Sequence, residues 1–261
     1  VTLDDSSNNF GTAAITGANV AIRDTNAIIL GASTVSGTYS VTAGGAITDS
    51  GALAITGVTT IAAGSGNNIT LDHTSNNFQG AVKITSGNNV TLVDAGAIDL
   101  GASTVSGTYA VTATAGGDIT DSGVLTITGA ATFTVANGQS IYLDGANTFS
   151  NTVTFSSGGT LANVTISDSN DFDLAALTLS GNLIATSTGG SITDSGALRI
   201  SGTSLFTTST SNKDITLDTT TNVFTGAVTL NTTGATGHAE VDGGTTILDI
   251  AASTVGGNLS L

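Results

Sequence analysis

The chain has 261 residues, among them 35 Gly and no Pro, Cys, Met or Trp, and 39% of it is hydrophobic. Its formal charge is −15, from 19 acidic residues against Arg23, Lys83, Arg199 and Lys213, a field that repels nucleic acid and anionic membranes and favours solubility and association with cations. Without Cys there is no disulfide or thiol chemistry. With neither a signal segment nor an unbroken apolar run of the length a membrane span requires, nothing directs or inserts the chain into a membrane. Lacking an initiating Met, it is expected to be a processed product or a fragment. Thr and Val favour pleated surfaces and the strong helix formers are scarce, so the chain reads as almost entirely β.

In chain order, one signal recurs eleven times: an aliphatic β-branched residue and, within four positions, an Asp. It runs Val1 to Asp4, Val20 to Asp24, Ile47 to Asp49, Ile69 to Asp72, Val90 to Asp94, Ile119 to Asp121, Ile141 to Asp144, Val164 to Asp168, Ile192 to Asp194, Ile215 to Asp218 and Val241 to Asp242. The steps from one start to the next repeat in threes: a short one (Val1 to Val20), a long one (Val20 to Ile47) and an intermediate one (Ile47 to Ile69), then the same cycle from Ile69 and again from Ile141. A recurrence in the twenties predicts a solenoid, each repeat one coil stacked on the last. The cycle defines three-coil units, 1–68, 69–140, 141–214 and a partial 215–261. Phe10, Phe78, Phe149 and Phe224 mark the same place in each unit. The pentapeptide Ile47–Gly51 returns as Ile119–Gly123 and Ile192–Gly196, and Gly31–Tyr39 returns as Gly101–Tyr109 and, more loosely, as Ala251–Gly257.

The expected fold is therefore all-β, a parallel β-solenoid of about 11 coils of roughly 19–29 residues forming one segment over residues 1–261. Within a coil, Val82 and Ile84 alternate with Ala81, Lys83 and Thr85, the period of a strand with one face inward. At about 4.8 Å per coil the rod is on the order of 50 Å long. The longer middle coil of each unit reads as a widened turn carrying an additional strand or a protruding loop, with Tyr39 and Tyr109 near it. Neither terminus reads as a cap, which predicts either continuation of the same solenoid or end-to-end self-assembly into a filament. A tandem of immunoglobulin-like domains with a period near 70 is the alternative, although no buried Trp is present to support it.

The Asp row is the foremost candidate for chemistry. One carboxylate per coil along a corner would repel its neighbours and recruit a cation, calcium being the suitable one. Against this, Asp followed by Ser, Thr or Gly is ordinary turn chemistry, its side chain accepting backbone amides two residues on; the uneven offset from strand start to Asp also argues against a single line. The Asn pairs at 8–9, 67–68, 76–77 and 88–89 read as corners, Asn67 and Asn88 as a short amide ladder. His73 and His238 are isolated loop residues. Asp168, Asp171 and Asp173 form the densest acidic group and are expected to lack a nearby Lys, Arg or Trp, which leaves a carbohydrate-active enzyme as a lesser alternative. Thr-x-Thr pairs at 126/128, 132/134 and 152/154 raise an ice- or surface-binding face. No catalytic, cofactor or metal residues are assigned.

Asp214–Asp218 with Asn222–Leu230, and Ile69 to Thr85, carry a phrase Ile-Thr-Leu-Asp…Asn-Phe-Thr-Gly-Ala-Val-Thr-Leu that resembles the repeat region of filamentous-haemagglutinin-like exoproteins, the large adhesins of bacterial two-partner secretion. The resemblance implies a right-handed parallel β-helix shaft, export to the cell surface or medium, and a non-catalytic adhesive or mechanical role in a fibre or matrix filament. It implies a host-surface or polysaccharide ligand elsewhere in the full protein.

Overall fold

The computed structural model describes residues 1–261 as strands and turns without a helix, so no helix is long and apolar enough to cross a membrane. All named strand pairs are parallel, from Thr2–Leu3 pairing with Val20–Asp24 to Ala239–Val241 pairing with Leu259–Ser260. Two long sheets run the length of the molecule, one of 14 strands and one of 13, and shorter sheets close the third side. This is the parallel β-solenoid expected from the sequence, wound about twelve times. It excludes the immunoglobulin-like tandem, whose sheets are antiparallel.

The register refines the coil. Among paired residues one turn apart, the shortest step takes Thr12 to Ile29 and the longest takes Leu205 to Thr229. Even that longest turn is shorter than the interval from Val20 to Ile47, so the long middle coil expected from the sequence does not exist. Val20 pairs with Tyr39 in the first long sheet, whereas Ile47 pairs with Ile28 and Ile69 in the second. The interval from Val20 to Ile47 is one turn plus the step to the other sheet. The same holds from Val90, paired with Tyr109, to Ile119, and from Val164, paired with Leu183, to Ile192. Each sequence unit thus occupies about three and a half windings, and the Asp-tipped strands move from one long sheet to the other with every unit.

The inward residues of successive turns merge into one core of 58 buried hydrophobic side chains. The Gly31–Tyr39 segment contributes to it. Ser33–Val35 and Tyr39–Ala43 are ordinary strands, and Tyr39 and Tyr109 are fully buried in the core, away from any protruding loop. Ser33 Oγ beside the Tyr39 phenol donates to Gly31 O at 2.9 Å and accepts Ile15 N–H at 3.0 Å. Ser103, beside Tyr109, repeats both bonds with Gly101 and Ile84. In the third unit Leu177 and Leu183, both buried, occupy the places of this Ser and Tyr. The polar pair has been exchanged as a pair for an apolar one, which removes both buried hydroxyls together.

Backbone pairing continues round the corners: Gly57 N–H donates to Gly37 O at 3.1 Å and Gly129 N–H to Gly107 O at 3.0 Å. There the turns approach so closely that a Cβ on Gly129 would lie 2.4 Å from Gly107 O, whereas one on Gly158 would meet nothing within 4 Å. Gly129→Ala is accordingly expected to cost about 1–3 kcal/mol as overpacking and Gly158→Ala to stay within about 0.5 kcal/mol of wild type; denaturant titration of both variants measures the contrast, and equal midpoints would contradict the close stacking.

Candidate functional site

The corner carboxylates form two recurring arrangements rather than one row. In the first, the Asp ending a five-residue strand is buried and accepts two backbone N–H groups. Asp94 Oδ2 accepts from Phe78 at 2.7 Å and Oδ1 from Gly96 at 2.6 Å. Asp24 does the same with Phe10 and Asn26, and Asp168 with Phe149 and Asn170. The second arrangement uses the Ile-Thr-Asp-Ser-Gly pentapeptide. Asp49, Asp121 and Asp194 each accept from the side-chain amide of a fully buried Asn in the next turn, Asn76, Asn147 and Asn222, at 2.6 to 2.7 Å. Those same amides accept the N–H of Leu53, Leu125 and Leu198 at 2.8 to 2.9 Å. A buried amide needs both its donor and acceptor sides filled, and the relay from Asp through Asn to backbone fills both.

The remaining corner residues behave alike. Asn68 Oδ1 accepts from Asn88 Nδ2 and Asn89 N, both at 3.2 Å, so the ladder passes through Asn68 rather than through the Asn67 side chain. His73 Nδ1 accepts from Ser75 N–H and His238 Nδ1 from Asn258 N–H, which makes both imidazoles corner acceptors. No three His, Asp or Glu side chains gather as a metal would require.

Burial raises the Asp94, Asp121, Asp168 and Asp194 carboxyls above their ordinary 3.8, with the charges of Asp144 and Asp218 adding to the rise at Asp121 and Asp194. It also pushes the Tyr39 phenol up to about 12 and raises that of Tyr109. A carboxyl with a raised folded-state pKa binds its proton more tightly when folded, so its stabilising contribution is complete below about 3.8 and disappears as pH climbs through the raised values. Self-repulsion of a −15 chain acts in the same direction. The thermal midpoint is expected to rise as pH is lowered from about 7 towards 4, and this rise is expected to shrink in the D94N/D121N/D168N/D194N variant. Melts across that range decide it; a falling midpoint would refute the assignment.

The largest cavity, about 690 Å³, opens along one side of the rod between the Phe149–Thr152 and Asp168–Asp173 segments. It brings together Asp168, Asp171 and Asp173, and it corrects the expectation that these have no basic neighbour: Lys213, two windings further on, lies 3.6 Å from Asp171. Asp173 accepts from the hydroxyls of Thr193 and Ser195. Only Phe149 and Phe172 in the lining are apolar. Outside this cavity, Thr48, Thr70 and Thr91 share one outward row of the second long sheet, followed by Ala110, Thr132 and Thr154.

A family described as repeats of unknown function (DUF5649) matches residues 17–85, 87–156 and 161–231. Its period is that of the sequence units, and its matches together span most of the rod. No curated protein and no solved structure matches the chain.

Proposed function

The chain belongs to the DUF5649 repeats, and on that premise we propose that it is a non-catalytic shaft segment of a secreted bacterial surface fibre, adhesin or extracellular matrix filament. The observation that carries this reading is the continuous parallel pairing of the two long sheets along the molecule. A core that is continuous along the axis makes a stiff spacer, because bending it would open hydrogen bonds and packing in several turns together. The corner relays support the same reading, since they commit the buried acids to holding turns together. The phrase shared with filamentous-haemagglutinin-like exoproteins supports export by the two-partner secretion route, to the outside of the cell. Its partners are further turns of the same solenoid, joined covalently or by end-to-end stacking; nucleic acid and the membrane interior are not among them.

Immunogold electron microscopy of producing cells, with antibodies raised against this chain, tests the proposal. Label is expected along extracellular rods or filaments. Label confined to the cytoplasm, or to compact globular particles, would end it.

The threonine row favours a second reading, recognition of an ordered surface such as ice by hydroxyls and methyls repeating at the interstrand spacing of about 4.8 Å. Thermal hysteresis is the direct measurement. Activity lost in T70Y and T132Y would support this reading, and its absence in the wild-type chain would dismiss it.

A further inference from the structure

The repeats act as internal controls on one another, and among the three buried Asp residues that end the five-residue strands, Asp168 alone leaves a carboxylate oxygen without a partner. At Asp94 and Asp24 the two backbone donors are divided between the two carboxylate oxygens. At Asp168 both fall on Oδ1, from Phe149 at 3.2 Å and Asn170 at 3.1 Å. Oδ2 of Asp168 is left buried with no partner, although the residue is only 1% exposed. A buried acceptor without a donor costs about 1–3 kcal/mol, and the other two units show that the same corner can avoid that cost. Asp168 is also the member of this trio that lines the 690 Å³ cavity. Neither Asp24 nor Asp94 borders a cavity of comparable size.

We propose that this cavity is a binding site for a neutral, hydroxyl-rich ligand, a saccharide, one of whose hydroxyls donates to Asp168 Oδ2. The size lies within the range of small-molecule clefts, about 300–1,000 Å³. The chemistry of the walls selects among donors. A divalent cation would share the cavity with the Lys213 ammonium, and the carboxylates do not gather as ligands for one. An organic ammonium would meet the same repulsion. An anion would meet Asp168, Asp171 and Asp173. A neutral polyol meets neither difficulty, and the polar groups of Asn151 and Thr152 at the rim can donate and accept in turn. This site is independent of the shaft role, since a rod can carry a lateral ligand or none.

The test uses the full chain, isotopically labelled, titrated with glucose, galactose, mannose and N-acetylglucosamine, and separately with calcium, methylammonium and galacturonate. At least one neutral sugar is expected to shift the amide resonances of Ser169, Asn170 and Gly189 with saturation below about 50 mM, an affinity in the weak single-site range. D168N, which replaces the free acceptor by a donor, and N151W, which fills the mouth without touching the core, are each expected to weaken that binding by about tenfold or more. D94N alters the same corner one unit earlier and is expected to leave it unchanged, which separates loss of the site from loss of stability. Sugar shifts that persist in D168N and N151W, no shift with any neutral sugar, or shifts at these amides with calcium or methylammonium alone would each overturn the proposal.

Discussion

Parallel hydrogen bonding between successive windings is the constraint that governs this molecule. Each turn must lie at strand spacing from its neighbours all the way round, including at the corners, where Gly57 bonds Gly37 and Gly129 bonds Gly107. That demand explains what the corners contain. Where backbones nearly touch, only Gly fits. Where the chain bends inward and leaves N–H groups facing the core, a buried Asp or Asn supplies the missing acceptor. The acidic composition of the chain is in this sense partly an architectural cost, borne by desolvated carboxyls such as Asp94 and Asp168.

Much of this was legible in the sequence, because a solenoid writes its period directly into the chain. The strands, the inward face of Val82 and Ile84, and the use of Asp in turns follow from local pattern alone. The step between sheets did not. Both long sheets draw on the same alternation of aliphatic and hydroxyl residues, so a strand such as Ile47–Asp49 carries no mark of the side on which it lies. The interval from Val20 to Ile47 is then indistinguishable from a long coil. The roles of Asn76, Asn147 and Asn222 were hidden for a different reason: each Asp partner lies a full winding away along the chain, and only the register brings them together. Lys213 reaches Asp171 from two windings on, a separation at which charge patterning along the chain says nothing.

Near-identical units also allow the molecule to be read against itself. The Ser–Tyr pair of the first two units and the Leu177–Leu183 pair of the third are alternative fillings of one buried place in the core. The corner at Asp168 differs from Asp24 and Asp94 without a compensating change inside the fold. Departures of the first kind describe how the core tolerates drift, and those of the second kind are where a role beyond architecture is to be sought.

The half-integral winding of the unit has an evolutionary corollary. Duplicating or deleting one unit would swing every later landmark to the opposite flank of the rod, whereas gain or loss of two would lengthen or shorten it while preserving the facing of whatever it carries. Selection on a distal element that must point one way would then be felt as a parity rule on the number of units, with even changes tolerated and odd ones purged.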